Sequence, residues 1–267
     1  MSNLSINDIN NRNLDSCLIN VIVIPTKVSF KVKERIINYE LYSFFGTNIN
    51  GKRVYLTTII KDYYNKTSSW YDLLLSLKNK GINNIFYAVI PNNLELSKAL
   101  KLAFNEINIF ISYFDTINKL NKYYSNNYSN SLESKVYKLY LSKDISDYEL
   151  IINEFKEEYL NIPFISDLVH DDLIRIKQYI NHDYEFRKFI FSFFFFRDTS
   201  KVLRSISNSK DYFSSIDEFV QKLLPFIQKI EKAMFCSKNT LKYIINILYA
   251  NNKELIKYYL WCIIFNI

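Results

Sequence analysis

Glycine is scarce in this 267-residue sequence, with only Gly46, Gly51 and Gly81. A Gly-rich phosphate cradle of the dinucleotide-binding or P-loop kind needs several glycines close together, so nucleotide-fold readings and a nucleotide cofactor are excluded. Cys17, Cys236 and Cys262 and the histidines His170 and His182 are too far apart in sequence for a Cys/His zinc site or a disulfide framework. Apolar runs such as Phe193 to Phe196 and Cys262 to Phe265 are broken by charge long before the roughly 18 residues of a membrane span. The polar start of the chain does not read as a secretory leader. A soluble, intracellular protein in a reducing setting is expected.

Hydrophobic residues make up 49% of the chain, enough to bury a large core. The net charge of +7 is compatible with a nucleic-acid partner. Lys, Asn, Ile and Tyr are so frequent, however, that AT-rich coding alone raises the lysine count.

Residues 1–16 are polar and Asn-rich, and read as a flexible lead-in. Three β-branched, apolar runs follow, Leu18 to Val32, Ile36 to Phe45 and Val54 to Ile60. Asn50-Gly51 between the last two is a hairpin signal, because both residues tolerate positive φ. Ser68 or Ser69 can cap a helix with Trp70, Leu73, Leu74 and Leu77 on its apolar face, and Gly81 suits its left-handed end. Ile85 to Ile90 reads as a strand. Asn92 or Asn93 then caps a helix, and Ile107 to Tyr113 supplies a fifth strand.

Beyond about residue 115 the pattern turns helical, with segments near 115–124, 131–142, 145–160, 164–180, 184–206, 215–234, 238–250 and 252–264. The expected class is α/β, in the order βββαβαβ, with the later strands parallel because helices join them. The expected organisation is a lead-in (1–16), a sheet core (17–125), a helical insertion (126–186) and closing helices (187–267), with Asn126 to Asn130 as a linker. Phe193 to Phe196 cover all sides of a helix and suggest a buried segment.

Gly46 to Leu56, with its Gly-x4-Gly-Lys hairpin, and Trp70 to Ile82, ending in Leu-Lys-x-Lys-Gly, resemble the catalytic domain of Mutator-type transposases of bacterial insertion sequences. Ala99 to Phe104, Arg187 to Phe191, Leu203-Arg204 and Ser214 to Leu224 extend the resemblance to roughly residues 18–235. It implies a ribonuclease-H-like mixed five-stranded sheet with a helical insertion and a C-terminal helical region. It also implies DNA transposition by two aspartates and a glutamate that hold Mg2+ ions. Paired metals can activate the attacking oxygen and stabilise the leaving one, and such hard cations require carboxylates.

At the matching positions this sequence has Ile24 or Pro25, Pro91 and Arg197. The family's Cys-x-x-His falls on Ile111 and Phe114, and no counterpart of its N-terminal DNA-binding region is expected ahead of the sheet. Asp198 lies beside the third position, but one helical step turns a side chain by about 100°. Asp115, Asp144, Asp147, Asp171, Asp172 and His170 read as surface charges. No catalytic residue, metal site or cofactor is therefore expected.

Arg197, Lys201 and Arg204 recur at helical spacing and form a basic stripe, a candidate DNA contact. The expected function is a transposase-like protein that is catalytically inactive and retains binding to DNA, to a second copy or to a related transposase subunit. A protein-interaction module with no DNA role is the alternative, and an active transposase using other acids is the least favoured reading.

Overall fold

The structure is a computed structural model that describes residues 5–15, 17–113, 117, 134–159, 179–180, 182–233 and 235–251. Asp115, His170, Asp171, Asp172, Phe114, Cys262, the 126–130 linker and the 252–264 segment lie outside them.

The elements are α1 (Ile6–Asn11), β1 (Cys17–Val32), β2 (Arg35–Asn48), β3 (Arg53–Ile60), α2 (Thr67–Asn79), β4 (Asn84–Ile90), α3 (Leu94–Ala103) and β5 (Asn108–Ile111). Helices α4 (Ile145–Tyr159), α5 (Tyr184–Phe191), α6 (Phe193–Ser207), α7 (Ile216–Lys232) and α8 (Lys238–Asn251) follow. The strands form one sheet in the order β3-β2-β1-β4-β5. β1 is antiparallel to β2 and parallel to β4, and β2 is antiparallel to β3. This is the mixed α/β sheet of the ribonuclease-H-like class, and it follows the expected βββαβαβ order.

The chain divides into two compact units. One comprises Met1–Val89, Asn93–Ile109 and Phe194–Ile267, and the other Ile90–Asn92 and Phe110–Phe193.

In the first unit, side chains alternate across the sheet. Tyr42 and Phe44 face Trp70 of α2, with ring centroids 5.9 and 6.4 Å away. Residues opposite one another across the β1–β2 ladder share a face, so Asn20, Ile22 and Ile24 stand with Thr47, Phe45 and Ser43. That face meets α6, where Phe195 packs edge-on against Phe45.

α2 begins at Thr67, not after Ser68 or Ser69. Its N-cap, Lys66, makes no side-chain capping bond, and the Thr67 hydroxyl is engaged by Glu95 of α3. Asn93 caps α3 by accepting from the Leu96 amide at 3.0 Å. Gly81 closes α2 at φ +112, and a Cβ there would stand 2.6 Å from the Leu14 carbonyl oxygen.

Residues 5–15 depart from the expected frayed lead-in. Ser5 and Asp8 form a capping box at the start of α1, and Ile9 is buried. The Leu14 amide donates to the Lys80 carbonyl at 2.6 Å, and Arg12 pairs with Glu231 of α7 at 2.9 Å. Glu231 also accepts from the Tyr55 amide at 2.8 Å, which satisfies a donor on the edge strand β3.

The single helix expected over 184–206 is two helices. Ser192 adopts a left-handed conformation, φ 47 and ψ 45, that ends α5, and its hydroxyl donates to the Phe189 carbonyl at 2.5 Å. The phenylalanine run is not buried all round either. Phe196 is fully buried, Phe195 is half-buried and Phe194 is 52% exposed, as a helix lying on a sheet requires.

In the second unit Arg187 is 2% exposed and donates to four carbonyls, those of His182 (2.9 Å), Tyr140 (3.2 Å), Ser142 (2.6 Å) and Lys143 (3.1 Å). Three of them lie at or just beyond the C-terminal end of the helical stretch 134–140, so a single guanidinium serves carbonyls that a helix end leaves without intrahelical partners. Burial lowers the Arg187 pKa. The half-buried His182 imidazole is pushed down by burial and then by the Arg187 charge.

β1 and β2 are joined by the two-residue turn Lys33-Glu34, with φ values of 46 and 66. Both residues therefore occupy the left-handed region that Asn and Gly fill at lower cost. The Lys33→Asn/Glu34→Gly variant is expected to be more stable by about 1 kcal/mol, seen as a higher urea midpoint at an unchanged m-value. A lower midpoint would show that the Lys33 and Glu34 side chains contribute more than the strain they impose.

Candidate functional site

β1 pairs with β4 only as far as Ile22, opposite Val89. Beyond that point the strand continues ten residues further to Val32, as the run Leu18 to Val32 predicts, paired with β2 and no longer with β4. Ile24 and Pro25 stand just past this departure. Ile24 is fully buried, and Pro25 is half-buried. Pro25 has the same parity as Ser29 and Lys31, whose backbone groups point away from β2, so its missing N–H falls on the side that β4 has vacated.

Pro91 is buried and directly follows β4. Arg197 is exposed on α6, its Nε donating to Asp198 Oδ1 at 3.0 Å and its guanidinium 5.3 Å from the Phe194 ring centroid. None of these four side chains offers an oxygen ligand, so they do not fit a divalent cation. Among the described residues no three His, Cys, Asp or Glu side chains gather as a metal-holding group. Ile111, at the first position of the absent Cys-x-x-His, ends β5 and presents its backbone amide to the Tyr179 hydroxyl at 3.0 Å.

The acids read as surface charges have local partners where they are described. Asp144 accepts from the Asp147 amide at 2.9 Å, and Asp147 accepts from the Lys143 amide at 2.8 Å, so the pair caps the start of α4.

Lys201 and Arg204 are exposed on α6 with Arg197, while Leu203 is fully buried and Val202 and Ile206 are half-buried. The three cations thus share the outer face of one helix. Its last residue, Ser207, donates from its hydroxyl to the Lys27 carbonyl at 2.6 Å and so fastens the helix to β1.

Beneath the start of α6 lies a buried polar cluster that sequence reasoning missed. Arg53 of β3 is 2% exposed; its guanidinium engages Thr47 Oγ1 and lies 3.4 Å from Asn20 Oδ1. The same group sits 4.2 Å from the Phe195 ring centroid and 3.6 Å from that of Phe235. Burial lowers its pKa to about 9, and the neighbouring Cys236 raises it. The proton is retained at neutral pH. Ser43, Thr58 and Tyr55 extend the cluster through hydroxyl contacts of 2.8 Å. The available signal was an arginine directly ahead of the apolar run Val54 to Ile60.

The Mutator family transposase model matches residues 3–232, most of the chain. The chain belongs to the Mutator family of transposases. No curated protein matches it significantly. Within this Mutator-family chain no helix among the described residues is long and apolar enough to cross a membrane.

Arg53 touches both rings through a flat, delocalised cation, which an ammonium cannot imitate. Arg53→Lys is expected to lower stability by about 1–3 kcal/mol in thermal or urea unfolding. Unchanged stability would mean that neither the rings nor the Thr47 and Asn20 oxygens need the guanidinium.

Proposed function

We propose that this chain is a transposase-derived domain that holds DNA without cutting it. The observation that carries this reading is the absence of any oxygen ligand on Ile24, Pro25, Pro91 and Arg197, the residues at the family's three acid positions. A cation at the third of them would repel a metal ion already short of ligands.

Arg197, Lys201 and Arg204 are the DNA-contacting residues of this proposal. Their charges are exposed and spaced along α6, as phosphate contacts require, and such contacts position a protein on DNA without reading its sequence. Exchanging a metal-binding carboxylate for Arg197 turns a position that cleaves phosphate into one that grips it. A second copy of the chain or a related transposase subunit is a further partner in this reading.

Two measurements test it. The purified protein is expected to show no Mg2+- or Mn2+-dependent nicking of supercoiled DNA, and Pro91→Asp alone should restore none, because one ligand of three cannot hold the ion pair. Metal-dependent nicking that disappears on changing a single acid, such as Asp198→Asn, would instead establish an active enzyme. In a salt series, the Arg197→Ala/Lys201→Ala/Arg204→Ala variant should bind every sequence more weakly, with a salt slope shallower by about 0.9 for each phosphate no longer neutralised. A folded variant with wild-type affinity and slope would favour the protein-interaction module.

A further inference from the structure

Beyond Leu41, where pairing with β3 ends, and Ile22, where pairing with β4 ends, β1 and β2 continue as a two-stranded arm. From Lys27 to its turn at Lys33-Glu34 the arm is about 20 Å long, at roughly 3.3 Å per residue. A bare two-stranded ribbon is only marginally stable. This one is braced along β1. Phe213 bonds the outer edge of β1, accepting from the Lys31 amide at 3.0 Å and donating to the Ser29 carbonyl at 2.9 Å, and its ring packs on Phe30.

On the rest of the arm's tip the side chains of residues 31–38 are all exposed. Its charges are mainly of one sign. Lys27, Lys31, Lys33 and Arg35 are exposed cations, whereas of the arm's two acids Glu40 is held by Lys61 at 2.9 Å and Glu34 stands at the tip. Between the cations, Val32, Ile36 and Ile37 expose 38%, 57% and 37% of their surfaces. Lys33 and Glu34 also keep charged side chains in a turn whose backbone favours Asn and Gly. Strain of this kind that the fold itself does not require points to use elsewhere.

We propose that this arm enters the major groove of duplex DNA, with its lysines and arginine on the phosphates along the groove walls and Ile36 against base edges such as thymine methyls. The inference rests on the DNA-holding reading above and assigns it a second contact surface. Two strands roughly 5 Å apart, with their side chains, match a groove about 12 Å wide that is known to admit a β-ribbon. The foot of the arm adjoins the end of α6, where Ser207 bonds the Lys27 carbonyl. A second copy of the chain fits less well as the occupant, because it would bring identical cations together.

The test uses the full chain and a duplex of about 30 base pairs, from roughly 0.05 to 0.3 M salt. The Lys27→Ala/Lys31→Ala/Lys33→Ala/Arg35→Ala variant should bind tenfold or more weakly, with a slope shallower by about 1–4 units. Guanine N7 protection from dimethyl sulfate should disappear with it, because that atom lies in the major groove. The charge-keeping Lys27→Arg/Lys31→Arg/Lys33→Arg variant should bind as wild type does, which separates removal of charge from failure to fold.

Wild-type affinity and slope in the alanine variant would overturn the arm as a DNA-binding surface while leaving the α6 proposal intact. Weaker binding by that variant without any N7 protection in the wild type would overturn the groove assignment. A wild-type protein that binds no duplex would overturn both readings. A dimer abolished by the arm substitutions, with duplex affinity unchanged, would identify the occupant as a second copy.

Discussion

The mismatch in strand length governs this structure. β1 and β2 run for 16 and 14 residues, while their outer partners β4 and β3 run for 7 and 8. Every outward-facing backbone N–H and C=O beyond the shorter strands needs water or another partner. The chain meets part of that demand from the segment around α6 and α7. Ser207 reaches the Lys27 carbonyl, Phe213 bonds Ser29 and Lys31, and Glu231 takes up the Tyr55 amide at the opposite edge. The closing helices are therefore fixed by backbone hydrogen bonds as well as by apolar packing, and the arm is what remains uncovered.

The same constraint bears on Ile24 and Pro25, which the sequence comparison set against a family acid. Ile24 and Pro25 lie where β1 has just parted from β4, a point at which a strand commonly ends and a polar side chain can meet solvent. Here the strand carries on, Ile24 is wholly buried, and proline tolerates the missing partner because it has no N–H to satisfy. Buried polar side chains lie elsewhere on the sheet, in the Arg53 cluster. A buried guanidinium there replaces hydration with two side-chain oxygens and two aromatic faces. Arg187 does the same in the second unit with four carbonyls.

Much of the fold was legible in the residues. Alternating β-branched runs marked the strands, Asn50-Gly51 the second hairpin, Gly81 the end of α2 and Asn93 the cap of α3. These signals act over a few residues, so they survive in the sequence. The Trp70 helix and the Gly-x4-Gly-Lys hairpin carried the family likeness, and with it the places to look for acids. The break at Ser192 was not legible, because serine has no intrinsic preference for positive φ and takes it there under tertiary constraint. Nor was the docking of residues 5–15, whose short helix is held by Lys80 and Glu231, far along the chain.

The sequence alone determined the βββαβαβ order of elements along the chain, the family likeness and the residue types at Ile24, Pro25, Pro91 and Arg197, because each is a matter of residue type and local spacing. Only the tertiary structure decided how far β1 and β2 outrun their neighbours, which arginines are buried, and which side of the phenylalanine run meets solvent. These depend on pairing between segments distant in the chain, where the satisfaction of backbone polar groups and the burial of side chains are set jointly by partners that no local pattern specifies.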